Sequence, residues 1–214
     1  MKPSLSESLR TETRTLHTQA ERSTFMGVLL RGKMERPAYC AMLRNLHAIY
    51  AALEPALDRH AGDPLLSPLS FAPLRREGSL QADLDALHGA GWRDAIALQP
   101  TTVDYVARLR KLDEEEPALL AAHSYVRYLG DLSGGQMLRR IVRDSMALPP
   151  GQGTAFYEFG TPEDTVQLKR AYREGLERLQ ADEATIAALV AEARLAFELH
   201  KQLFDELAGA ELTT

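Results

Sequence analysis

Apolar residues recur at helical spacing along almost the whole chain, and no credible run of strands interrupts them. Ser4-Leu5-Ser6-Glu7 has the spacing of a capping box, and Leu5, Leu9 and Leu16 follow on one stripe with His17 beside it. A short helix is predicted over Thr24 to Leu30, stopping at Gly32. Pro37 suits the first turn of a long helix in which Tyr39, Met42, Leu43, Leu46, Ile49, Tyr50, Leu53 and Leu57 keep strict periodicity. Prolines and glycines from Gly62 to Gly78 predict an irregular connection, long enough that part of it should pack on the core. Helical patterns return at Leu80–His88, Thr102–Leu112 and Pro117–Leu129, and Pro149-Pro150-Gly151 breaks the chain. Thr161-Pro162-Glu163-Asp164 starts another helix, and the last presents Ile186, Leu189, Val190, Ala193, Phe197, His200, Leu203, Phe204 and Leu207 on one face. The pattern predicts one all-α domain over residues 1–214, ordered from about residue 5 to about residue 208, with flexible ends.

The stretch Tyr125 to Gln136 stands out, because Gly130, Gly134 and Gly135 sit where a helix would otherwise continue. Each costs about 1 kcal/mol relative to alanine in a helix interior. Backbone without Cβ atoms would let something flat and bulky come close, with the helix bending there. A plain link between two helices accounts for the same residues, with Gly130 as a C-terminal cap and Ser133 with Gln136 as the next capping box. A phosphate loop has less support than either: Gln136 stands where lysine is needed and no strand precedes it.

Composition narrows the function classes. With 45% hydrophobic and 26% charged residues the chain reads as an ordinary globular protein, and its net charge of −5 argues against nucleic acid as a partner. The single cysteine, Cys40, excludes a disulfide framework, a cysteine zinc site and covalent haem attachment. No apolar run approaches a membrane span and the N-terminus lacks a signal-peptide core, so a cytoplasmic location is expected. Six histidines raise the question of metal, but none follows a glutamate by three residues, so a di-iron bundle has little support. His17 differs in having Glu21 one helical turn later. A metal-bound imidazole usually donates its other N–H to such a carboxylate, although a partly buried histidine beside a surface acid is the commoner arrangement.

Taken together, His17-Thr18-Gln19-Ala20-Glu21 and Tyr125 to Gln136 resemble the two signature segments of the heme oxygenase family. The similarity extends over His47, Ile49, Tyr50 and Leu53, over Lys169 to Arg173, and over Phe197 with Gln202-Leu203-Phe204. The resemblance implies a helical bundle holding haem b between a proximal helix and a kinked distal helix. His17 would be the axial ligand of the haem iron and Glu21 its partner. Gly130, Gly134 and Gly135 would form the distal wall. Family enzymes cleave haem with O2 and electrons to biliverdin, carbon monoxide and ferrous iron. A neutral imidazole pushes less electron density onto O2 than a thiolate and so disfavours O–O cleavage. By similarity Asp131, with Arg127 and Tyr50, would organise proton delivery. Arg10, Tyr125, Lys169 and Arg173 would meet the haem propionates, and Met26 and Phe197 would line the ring. His200 departs from the family, where asparagine is common.

A non-catalytic haem-binding or storage protein is the second reading, and retention of Asp131 and Gly130 argues against it. A cysteine hydrolase on a related helical fold is weak, since Cys40 has no neighbouring histidine on its face. The resemblance also implies a monomer served by an electron donor such as a ferredoxin or flavin reductase. Arg10, Arg127, Arg139, Arg140, Lys169, Arg170 and Arg173 are candidates for a basic docking rim toward an acidic donor.

Overall fold

The computed structural model describes residues 4–212; the outermost positions of the two ends expected to be flexible lie outside the described residues. Nine α-helices and four short 3-10 turns make up the regular structure, and no strand occurs among the described residues. The helices are α1 (Leu5–Glu21), α2 (Thr24–Leu30), α3 (Arg36–Arg59), α4 (Glu77–Leu87), α5 (Trp92–Ala95), α6 (Pro100–Glu115), α7 (Leu120–Ser145), α8 (Pro162–Arg178) and α9 (Glu183–Glu211).

Local chemistry sets several of these boundaries. At α1 the Ser4 hydroxyl accepts from Glu7 N at 3.2 Å, and the Glu7 carboxylate accepts from Ser4 N at 3.1 Å. Thr161 and Asp164 make the same reciprocal pair at the start of α8. Each such cap is worth about 1 kcal/mol. Gly32 ends α2 with φ +64°, a left-handed conformation that suits glycine. It lets Gly32 N reach Leu29 O at 2.9 Å and Lys33 N reach Val28 O at 3.1 Å, which satisfies two terminal carbonyls. The 62–76 connection packs inward as expected, burying Leu66, Leu69 and Leu74. Its end is tied to α3 by Glu54, whose carboxylate accepts from Arg76 N and Glu77 N at 2.5 and 3.2 Å and so caps α4.

Helix α9 packs against α1, α2, α6 and α7, while α3 packs against α4, α6 and α7. The resulting core buries Tyr39, Tyr50, Tyr105, Tyr128, Tyr172 and Trp92 almost completely. Buried tyrosine hydroxyls need partners, and these have them: Tyr172 bonds Ser124 at 2.7 Å and Tyr39 donates to Gly153 O at 3.2 Å. Between α6, α7 and α9 the polar side chains form a chain. Tyr105 Oη donates to His123 Nδ1 at 3.0 Å, His123 Nε2 donates to Glu192 at 2.9 Å, and Arg108 closes the other side of Glu192. Burial holds His123 below its ordinary pKa, so it enters this chain neutral. Burial works against the Glu192 carboxylate, but His123 and Arg108 hold its pKa down to about 2.

The plain-link reading of residues 125–136 is overturned, because α7 runs unbroken from Leu120 to Ser145. Gly130 caps nothing, and Ser133 donates to Leu129 O one turn back at 2.5 Å instead of starting a new helix. The three glycines therefore lie inside a helix held by its neighbours, with propensity overridden by packing.

Candidate active site

Helix α1 carries His17 on the stripe that also buries Leu5, Leu9, Thr13 and Ala20, so its imidazole sits where α1 meets the core. It lines a cavity of about 260 Å³ whose opposite wall is α7 at Gly130, Asp131, Gly134 and Gly135. A second cavity of about 230 Å³ adjoins and shares His17, Val126, Gly130, Ser133 and Phe197. Together they form a slot between α1 and α7, floored by Phe197, His200 and Phe204 of α9. His17 Nδ1 lies 3.5 Å from the Glu21 carboxylate, which leaves Nε2 as the other ring nitrogen. The imidazole stands edge-on to Phe197, with ring centroids 5.7 Å apart.

Across the slot, the missing side chains leave room. No atom lies within 4 Å of where a Cβ would stand at Gly130, and at Gly134 only Leu138 Cδ1 does, at 3.8 Å. Gly135 lines the same cavity and is buried, and a Cβ there would also make ordinary contact with Tyr157 O at 3.5 Å, so it packs against the 155–157 turn as well.

Asp131 is nine-tenths buried beside Gly130 and receives a hydrogen bond from the Tyr50 hydroxyl. Arg127 Nε donates to Tyr50 Oη at 3.2 Å, its Nη2 approaches Asp131 Oδ1 at 3.4 Å, and its Nη1 donates to His200 Nδ1 at 2.9 Å. Burial pushes the Asp131 carboxyl above the ordinary carboxylate range, and Arg127 and Tyr50 pull it back only in part. Burial alone would lower Arg127, yet Tyr50 and Asp131 outweigh it and keep the guanidinium charged. Arg127 is therefore no part of a surface rim, as the sequence reading had it: the side chain is 5% exposed.

At the open end of the slot stand Arg10, Tyr125 and Arg173. Lys169 does not line the slot but lies beside Arg173 on α8, half-buried. Burial and the neighbouring Arg173 both lower its pKa. Among the described residues no carboxylate pairs with Arg10, Lys169 or Arg173, whereas Arg139, Arg140 and Arg170 each pair with an acid. Met26 lines the slot, joined by Met42 and Leu46 of the α3 stripe and by Leu29, Phe156 and Tyr157, which the sequence did not single out. Phe156 and Tyr157 lie in a short turn with no periodicity to reveal them. They are fixed by Asp83 of α4, whose two oxygens accept from Ala155 N and Phe156 N, each at 2.8 Å. Cys40 is buried away from any such site, and burial raises its thiol to about 11, so it is no nucleophile.

By fold and site, then, this is an all-α protein with a slot gripped between two helices, imidazole on one wall and bare backbone on the other. Comparison with known proteins gives the family. The heme oxygenase family model matches residues 3–206. Heme oxygenase 1 of Nostoc sp. is 42% identical over 98% of this chain and 88% of its own length. The human heme oxygenase 1 is 38% identical over 97% of this chain and 73% of its own. The crystal structure of heme oxygenase-2 from Synechocystis sp., in complex with heme and NO, superposes with a TM-score of 0.92 at 42% identity, covering 97% of this chain and 86% of that one. The chain belongs to the heme oxygenase family, oxidoreductases that act on haem.

Proposed function

We propose that this chain cleaves haem b oxidatively, with O2 and electrons, to biliverdin, carbon monoxide and ferrous iron. The observation that carries the reading is His17 facing, across one slot, two glycines whose absent side chains leave space for a flat macrocycle. Haem bound there would supply both the iron that engages O2 and the ring that is oxidised. His17 Nε2 is the nitrogen that would hold the iron, with Glu21 accepting from Nδ1 and so fixing the tautomer. The three unpaired cations Arg10, Lys169 and Arg173, with Tyr125, suit two carboxylates at the slot mouth. Met26 and Phe197 supply apolar contact to the ring faces and edge.

The distal residues handle protons and space. Asp131, raised by burial and bonded to Tyr50, is a carboxyl able to order water and pass a proton without being a strong acid in the slot. Arg127 and Tyr50 hold it in place. With haem in the slot, the bare α7 backbone at Gly130 and Gly134 would face it closely and would restrict the space open to O2 there.

A monomer supplied by a ferredoxin or a flavin reductase in the cytoplasm completes the proposal. The basic mouth suits an acidic donor, and among the described residues no helix is long and apolar enough to cross a membrane. The test is absorption spectroscopy of the purified protein with haem and a reductant in air. Loss of the Soret band with appearance of a bilin is expected, and His17→Ala should abolish the iron–imidazole spectrum. A stable haem complex that yields no bilin would instead favour storage.

A further inference from the structure

The guanidinium of Arg127 joins three helices. It lies on α7, donates through Nε to Tyr50 of α3, and donates through Nη1 to His200 of α9. The contacts have a fixed direction. Because Tyr50 Oη accepts from Arg127, its own proton goes to Asp131, so the hydrogen bonds run from Arg127 through Tyr50 to the carboxylate. Arginine brings a planar fork whose nitrogens cannot be aimed separately. The acceptor taken by Nη1 therefore decides where Nε and Nη2 point.

That acceptor is His200. Nδ1 stands 2.9 Å from Nη1, against 3.4 Å for Nε2, and the ring is held edge-on against Phe204 with centroids 4.2 Å apart. An imidazole that accepts at Nδ1 must be neutral and carry its proton on Nε2. Burial, then the charges of Arg127 and His17, hold the His200 pKa well below its ordinary value. Among the described residues His200 is the only side chain that accepts from Nη1, and a buried N–H left without an acceptor is costly.

We infer that His200 is a positioning residue: by accepting Nη1 of Arg127 at Nδ1 it aims Nε at Tyr50 and Nη2 at Asp131, and so fixes the face that the Asp131 carboxylate turns to the slot. The inference rests on the proposed function only for its catalytic consequence; the tautomer and the aiming are properties of the haem-free protein.

Nitrogen-15 NMR of the haem-free protein at pH 7 should show His200 unprotonated at Nδ1 and protonated at Nε2. The Arg127 Nε–H should be protected from exchange, and His200→Leu, similar in bulk but without an acceptor, should lose that protection. In haem turnover His200→Leu should slow bilin formation about tenfold, the worth of one hydrogen bond to a charged group, with haem affinity changed much less. His200→Asn, which keeps an acceptor, should restore both Nε–H protection and rate. A proton on Nδ1, a leucine variant with wild-type rate and protection, or an asparagine variant as impaired as leucine would each overturn the inference. Should His200→Leu fail to fold, the wild-type tautomer and the asparagine variant still decide. If the wild type forms no bilin the proposed function fails, and the NMR outcome still judges His200 separately.

Discussion

At Gly130 the role of an absent side chain can be tested with little disturbance to the helix, because nothing lies within 4 Å of a Cβ built there. Gly130→Leu is expected to fold with unchanged helicity by circular dichroism, since leucine is the better helix former. In turnover assays it should lower bilin yield and alter the isomer formed, as the side chain would project toward His17. Asp131→Ala removes the only acid among the three groups joined around Arg127 and Tyr50. It should keep haem affinity while diverting the reaction to peroxidase-like oxidation, read as loss of bilin with retained oxidation of a phenolic co-substrate; an unchanged bilin yield would remove Asp131 from proton delivery. The signature residues could be picked out of the sequence because they lie close together along the chain. Arg127–His200 could not be, because the pair is brought together from residues 73 positions apart and no local pattern encodes it.

At the scale of the helices, α6, α7 and α9 are joined by the buried Tyr105–His123–Glu192–Arg108 chain. Glu192 has its folded pKa depressed from 4.5 to about 2, so its stabilisation is fully present above 4.5 and is lost as pH falls toward 2. Glu192→Gln should therefore cost on the order of 3 kcal/mol at pH 7, and the gap from wild type should narrow in urea melts taken at pH 3. Helix starts were legible where a side chain satisfies the backbone locally, as at Ser4 and Thr161, or where proline removes an unpaired N–H, as at Pro37. The continuity of α7 was not, because glycine at the end of a helix and glycine inside one leave the same spacing. Tertiary contacts decide between them, and Gly175 is a second instance: a Cβ there would run into the Pro68 carbonyl, where α8 crosses the 67–69 turn. The single turn of α5 escaped notice as well, being too short to show a period.

For the whole molecule, charge is distributed against its net sign. The chain totals −5, yet Arg10 and Arg173 stand at the slot mouth with Lys169 beside Arg173, and none of the three pairs with a carboxylate among the described residues. Arg173→Glu should weaken haem binding severalfold, and more at low ionic strength than at high, measured by titration of the Soret band. The all-α class and the slot's two walls were visible in the sequence because periodicity and the glycine signature are both local. The back of the slot was not, since Phe156 and Tyr157 owe their place to Asp83, a residue on another helix. One feature of the distal wall reaches further than the slot itself. Where Gly130 and Gly134 face the cavity, the surface is main chain, and main chain has no rotamers with which to take up a small displacement. Its location is set by how α7 packs on α9 and on its other neighbours. A bulkier side chain in that helix contact would shift the whole wall bodily, so the fidelity of ring opening should respond to substitutions that never touch the ligand.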